Sequence, residues 1–352
     1  MYEPIRGPFD WTAAQMNADR RWVHHFTPQE RNEIDAALRL AIDKGRSLET
    51  LTAQDFPLPT VSELFSRGRE QLEDGVGMQL YRGIDVGRYD KDQLRLMYWG
   101  LGLHLGTPVS QSMHGDVLGD VRNQNTDLTG PQGRGYTTNR KLGCHTDSCD
   151  VVGLFVLRTA KSGGASRLAS SVAVHNEMLR QRPDLLALMY QAFYWSWQGQ
   201  EPSGALPYYP QPIFTRWRDR FSCRYVRTHI NSAQRYDEVP RLSEQQLEAL
   251  ELFDTLSQSP QFSYSMMFEP GDLQLLNNHV TLHARTEFED YEEPDRKRHL
   301  LRMWLSVPNS RELDPQLGFL YRNLQGGTVR GGFPSRTGRL VHETRLGQAM
   351  LD

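Results

Sequence analysis

The segment GCHTDSCD, residues 143–150, sets His145 and Asp147 two apart with Thr146 between them, in a stretch too short and too polar to fill a core. If 143–147 ends a β-strand, both side chains project from one face, because strand side chains alternate with a period of two. An imidazole nitrogen and a carboxylate oxygen suit a divalent first-row metal, but two ligands make a poor site, so a third must come from elsewhere. His283, in NNHVTLHARTEF (277–288), is the best candidate. It reads as a residue of a late strand, with Asn277 and Asn278 near it as supporting donors.

The surrounding sequence supports a strand reading. DVVGLFVLRTA (150–160) is β-branched and apolar, GGASRLASS (163–171) is a turn and strand, and the stretches 262–288 and 296–308 read as strands separated by a turn at 269–272 and an acidic loop at 289–295. Residues 191–235 alternate short aromatic strands with Pro- and Gly-rich turns. Helices are predicted where apolar residues recur every three or four positions. One follows the Thr27/Glu30 capping box with Ile34, Leu38 and Ile42, one follows Thr60, one spans 91–106, one surrounds Pro183, and one is capped by Ser243 and Gln246.

The regular strand-helix alternation of an α/β protein is missing. The expected fold is mainly β with flanking helices, a jelly-roll, cupin-like barrel. The expected organisation is an N-terminal helical extension (1–75), a β-barrel domain with helical insertions (76–310) and a C-terminal tail (311–352). The loop from Pro108 to Arg140, rich in Gly, Asn, Asp and Thr, is expected to border a site.

Charge and composition exclude several functions. Forty basic and 43 acidic side chains are interspersed, for a net charge of −3, so no basic stripe presents itself to nucleic acid. No apolar run is long enough to span a bilayer and the first residues lack a signal-peptide layout, so a cytoplasmic protein is expected, with no membrane partner. Cys144, Cys149 and Cys223 contain no CxxC pair and read as reduced thiols. A homo-oligomer is compatible with a chain of this size.

Two histidines and a carboxylate on one face of an ion make the facial triad of non-haem iron(II) oxygenases, which leaves positions open for a cosubstrate and oxygen. RKRHLLRMWLSV (296–307) adds to this reading. In a strand, residues 298, 300, 302 and 304 share a face, which points Arg298 and Arg302 inward with Leu300 and Trp304. Two buried guanidiniums need anions, either protein carboxylates or a bound dicarboxylate held through arginine's bidentate geometry. Four residues put their backbones about 13 Å apart, so they would reach different groups. Two rival readings use the same residues: a zinc hydrolase that activates water, and a binding protein that keeps the barrel without chemistry.

The order HTD, a GG-containing strand, a distal histidine and then Arg-x-x-x-Arg resembles the TauD/TfdA family of iron(II)- and 2-oxoglutarate-dependent dioxygenases, over about Leu80 to Val307. The resemblance implies a double-stranded β-helix, with iron held by His145, Asp147 and His283 and with O2 and 2-oxoglutarate as cosubstrates. Arg298 would take the distal carboxylate of 2-oxoglutarate, assisted by the Ser166 hydroxyl, and Arg302 would lie near its 1-carboxylate or the substrate. A small-molecule substrate is implied, with hydroxylation as the default outcome. Gln111, Asn123, Asn125, Tyr136, Asn139, Tyr225 and Arg227 are candidate substrate contacts. His24, His25, His104 and His299 are expected to be structural, and His279 competes with His283 only by sharing its strand parity.

Overall fold

The computed structural model describes residues 2–124 and 137–342. Its strands are β1 (Val23–His25), β2 (Met78–Arg82), β3 (Thr107–Val109), β4 (Gly119–Val121), β5 (Leu142–His145), β6 (Val151–Arg158), β7 (Ser162–Gly163), β8 (Ser166–Ser170), β9 (Ala192–Ser196), β10 (Tyr208–Pro212), β11 (Phe214–Trp217), β12 (Arg220–Cys223), β13 (Ser263–Met266), β14 (Leu273–Asn277), β15 (Thr281–Arg285), β16 (Phe288–Glu289) and β17 (His299–Ser306). The helices are α1 (Ala13–Ala18), α2 (Pro28–Asp43), α3 (Val61–Asp74), α4 (Lys91–Leu105), α5 (Ser171–Gln181), α6 (Pro183–Met189), α7 (Arg227–Ala233), α8 (Glu244–Gln258) and α9 (Gly318–Tyr321).

Two sheets form the centre, a larger one ordered β1-β2-β14-β6-β17-β3 with β4 also on β17, and a smaller one ordered β13-β8-β15-β5. The period-two pattern sorts the side chains of the larger sheet into two cores. Val152, Val156, Leu276, Leu300 and Trp304 face the space between the sheets. Their neighbours Val151, Phe155, Leu275, Leu301, Met303 and Leu305 face the apolar stripes of α2, α3 and α4. A sheet buried on both faces explains why these strands read as almost continuously apolar. On the smaller sheet, Cys144 and Arg167 face outward to α8, touching the carbonyls of Ser257 and Gln258.

Capping boxes at Thr27/Glu30, Asp90/Gln93 and Ser243/Gln246 start α2, α4 and α8. Thr60 differs from its expected role. It makes no side-chain cap, and the Glu33 carboxylate of α2 instead accepts from the Thr60 and Val61 amides. The 191–235 region also departs from expectation, since it contains α7 as well as strands.

Beyond β17 the chain turns back over the barrel. Arg311 pairs with Glu73 at 2.8 Å, Arg330 with Asp150 at 2.9 Å, and the Gly332 amide donates to the Ser148 carbonyl at 2.6 Å. Residues 311–333 therefore brace the segment that carries His145 and Asp147.

Candidate active site

His145, at the end of β5, stands directly opposite His283 on β15. Opposed residues of an antiparallel pair share a face, so the register alone brings the two rings together, with centroids 4.1 Å apart. Asp147 completes a group in which one ligand atom from each residue lies within 4.8 Å of the others. It does so differently from the sequence expectation. β5 ends at His145, so strand alternation does not aim Asp147.

Side-chain hydrogen bonds aim it instead. Its amide donates to Asn278 Oδ1 at 2.8 Å, and its Oδ2 accepts from Trp304 Nε1 at 2.9 Å. Arg224 grips both flanks of the aspartate, donating to the Thr146 carbonyl and hydroxyl at 2.5 and 3.0 Å and to Ser148 Oγ at 3.0 Å.

The electrostatics suit metal ligation. His145 Nδ1 faces the Gly143 carbonyl at 2.9 Å, which fixes that nitrogen as the protonated one and leaves Nε2 for a ligand role. His283 Nδ1 is buried with no hydrogen-bond partner among the described residues, and its Nε2 is 3.8 Å from Asp147 Oδ2. Burial, and then the neighbouring His145, push the His283 imidazole down to about 3. Burial also lowers His145. Burial alone would raise the Asp147 carboxyl, but Arg302, 3.7 Å away, together with His283, His145 and the Trp304 indole, more than offsets this and holds it low. Two neutral imidazoles and one carboxylate at neutral pH are the donor set that a divalent ion such as iron(II) requires.

Residues 44–304 match the taurine catabolism dioxygenase TauD, TfdA family. The chain belongs to the TauD/TfdA family. It is 33% identical over 323 residues to FR-33289 synthase of Streptomyces rubellomurinus, covering 90% of this chain and 94% of that protein. It is 26% identical over 303 residues to the taurine hydroxylase-like protein SAT17 of Stachybotrys chartarum, covering 83% and 77%. Among solved structures it resembles asparagine oxygenase in complex with Fe(II), 2S,3S-3-hydroxyasparagine and succinate, with a TM-score of 0.63, 18% identity, and coverage of 88% and 100%. It also resembles the non-heme iron oxygenase OrfP in complex with Fe and alpha-ketoglutaric acid, with a TM-score of 0.58, 17% identity, and coverage of 87% and 100%. The jelly-roll core is thus the family fold, and this TauD/TfdA protein is an iron(II)- and 2-oxoglutarate-dependent oxygenase. Among the described residues, no helix is long and apolar enough to cross a membrane.

The two arginines of this TauD/TfdA enzyme are both buried, but they keep different company. The β6–β17 register shifts between His299 and Leu300, with Leu157 of β6 the extra residue, and Arg298 lies just before β17. Arg302 keeps company with Asp147, with Gln111 Oε1 at 2.7 Å and with the Trp304 ring. Arg298 is buried beside Phe288, with Nη1 unpartnered among the described residues, and its charged neighbours are Arg285 and Asp290. Burial, with Arg285 second, pushes the Arg298 guanidinium down to about 9. Gly163 and Gly164 sit at φ +71° and +72°. A Cβ on Gly163 would lie 2.2 Å from the Glu287 carbonyl, and one on Gly164 would lie 3.5 Å from Arg298 Nε. The glycine pair thus admits the chain beside Arg298. Ser166 is buried on β8, its hydroxyl 3.4 Å from Gln274 Oε1 across the interior.

Several expected substrate contacts are engaged elsewhere. Tyr225 and Arg227 do not lie on a substrate-facing strand. Tyr225 follows β12 fully buried, its hydroxyl donating to Asp254 at 2.8 Å, and Arg227 opens α7 and pairs with the same carboxylate at 2.9 Å. Gln111 donates to the Val117 and Arg302 carbonyls while accepting from Arg302, so it holds that arginine in place. The Asn139 carbonyl accepts from the Phe288 amide, near Arg298. Asn123 is half-buried at the end of the described stretch, and Asn125 and Tyr136 lie outside the described residues.

Asn278 supports the site as an acceptor of the Asp147 amide rather than as the expected donor, whereas Asn277 turns away to Leu72 and Glu73. His279 pairs with Asp150 at 2.9 Å, His299 with Asp120 at 2.6 Å, His24 with Glu30, and His104 with the Phe56 carbonyl. Sequence reasoning missed Arg224 and Arg285. Arg285 had a signal, its two-residue spacing from His283 on one strand; Arg224 had none.

Proposed function

We propose that His145, Asp147 and His283 hold the iron, that Arg298 with Ser166 receives the distal carboxylate of 2-oxoglutarate, and that Arg302 orients a small organic substrate bearing an anionic group. When bound, iron and 2-oxoglutarate would supply, with O2, the oxidising chemistry in which one oxygen atom ends in succinate as the cosubstrate loses CO2 and the other ends in the hydroxylated substrate C–H bond. The chain supplies position and charge. The single observation that carries this reading is the register pairing of His145 with His283, with Asp147 held beside them by Trp304.

Charge supports the anionic class of substrate. Arg224 and Arg302 both act on the two histidines, against one carboxylate at Asp147, so the surroundings of the triad carry excess positive potential among the described residues. Neighbouring solved proteins hold amino acids at their sites, hydroxyasparagine in asparagine oxygenase and hydroxyarginine in OrfP, which supports a small polar substrate here. The three cysteines are unpaired and buried, which fits a cytoplasmic setting.

The test is an anaerobic titration with iron(II) and then 2-oxoglutarate, following the weak visible band of the chelate, and then a succinate assay across a panel of anionic small molecules. A band that requires both additions, and substrate-dependent succinate, are expected. Hydrolytic turnover with zinc and without oxygen or 2-oxoglutarate would overturn the proposal.

A further inference from the structure

Arg285 is a buried guanidinium that no part of the foregoing chemistry uses. It is 7% exposed and Arg298 is 5% exposed, and the two flank the Phe288 ring, 4.7 and 5.1 Å from its centroid. Arg285 Nη2 donates to the Thr138 and Arg140 carbonyls at 2.7 and 2.5 Å. Its Nε, like Arg298 Nη1, is buried without a partner among the described residues. The carboxylate acting on both arginines is Asp290, one oxygen of which accepts from the Arg298 amide while the other is buried and unpartnered.

Among the described residues, two cations against one carboxylate leave a buried surplus of one positive charge, which is costly unless an anion neutralises it. Position identifies that anion. Arg285 lies two residues beyond His283 on β15, about 7 Å along the strand, and pairs in register with Ser166 on β8. A ligand chelated at the triad by one end would thus meet Arg285, Ser166 and Arg298 with the other.

We propose that Arg285 is a second positioning residue for the cosubstrate. With Arg298 it forms a two-guanidinium subsite whose charge closes to neutral only when the distal carboxylate of a 2-oxo diacid is present. Through the Thr138 and Arg140 carbonyls, it also fastens the 138–140 backbone against that subsite. The inference rests on the cosubstrate assignment under Proposed function. It makes the subsite a filter, since a 2-oxo monoacid would leave the surplus charge uncompensated.

The test uses the full chain loaded anaerobically with iron(II) and titrated with 2-oxoglutarate, with affinity for iron(II) alone measured in parallel. Arg285→Gln is expected to weaken 2-oxoglutarate binding at least tenfold, with iron(II) affinity within twofold of wild type. Arg285→Lys keeps the charge and loses the fork, and should weaken binding three- to tenfold. The Arg285→Gln/Arg298→Gln double variant should lose less than the product of the single losses, because both groups act on one carboxylate. If Arg285→Gln fails to fold, Arg285→Lys carries the test. Either variant binding 2-oxoglutarate within twofold of wild type, or losing iron(II) and 2-oxoglutarate affinity alike, overturns the inference. If the wild-type chain itself forms no chelate, the cosubstrate assignment fails first.

Discussion

The indole Nε1 of Trp304 donates a 2.9 Å hydrogen bond to Oδ2 of Asp147, joining the centre of β17 to a residue 157 positions earlier. Both groups are buried, and the bond selects one orientation of a carboxylate that strand geometry leaves unfixed. Hydrogen bonds that orient metal ligands contribute roughly 10- to 100-fold in metal affinity. Trp304→Phe keeps most of the packing and deletes the donor. It is expected to weaken iron(II) binding about tenfold, read by anaerobic metal titration, while costing roughly 1 to 2 kcal/mol of stability.

His279 and His283 share strand parity but differ in their surroundings. His279 is tied to Asp150, which Arg330 also holds, whereas His283 faces His145. His283→Ala should abolish iron(II) binding and succinate formation. His279→Ala should keep metal affinity within about threefold and lower stability by about 1 to 3 kcal/mol, because the buried Asp150 carboxylate loses a hydrogen-bond donor while Arg330 stays. Metal titration and denaturant unfolding on the same two variants separate these roles, and metal loss in the His279 variant would count against the proposed triad.

Gly163 combines a left-handed backbone with a carbonyl 2.2 Å from where a Cβ would sit. Gly163→Ala should therefore cost about 2 to 4 kcal/mol, part from φ and part from displacement of the Glu287 carbonyl. Because β7 pairs with β16 next to Phe288 and Arg298, the same variant should raise the KM for 2-oxoglutarate more than it lowers kcat.

His175 gives the fold a pH dependence. Burial pushes its imidazole down to about 4, and the neutral ring fits its partners, with Nδ1 facing Asn176 Oδ1 at 3.1 Å and Nε2 accepting from the Tyr190 hydroxyl at 2.8 Å. The folded value lies below the unfolded one, so the unfolded chain binds more protons between them. The stabilisation is complete above pH 6.5 and is lost as pH falls toward 4, by about 3 kcal/mol for this group. Unfolding curves at pH 7.5 and pH 5 should show the decline, and His175→Gln should make it shallower. Equal slopes would remove His175 as a cause.

Part of this was legible from residue order. Runs of β-branched and apolar residues marked β6, β14 and β17, and Thr27, Ser243 and their partners three residues on marked helix starts. Sequence separation hid what lay between elements. Tyr225 looked available as a strand residue, yet its hydroxyl reaches Asp254 on α8. Arg298 and Arg302 are both buried, as the strand pattern expects, but the pattern did not show that one lies beside Arg285 and Phe288 and the other beside Asp147 and Gln111.

The amino-acid sequence by itself determined which residue types converge, His145, Asp147, His283 and the arginines, and through their order the family and the kind of barrel. Only the tertiary structure decided how they face one another: the opposition of His145 and His283, the aim of Asp147, and the company Arg285 keeps with Arg298. The physical reason is that periodicity constrains a side chain only while the strand continues. Past a strand end, as at Asp147, orientation is set by hydrogen bonds from residues more than a hundred positions away.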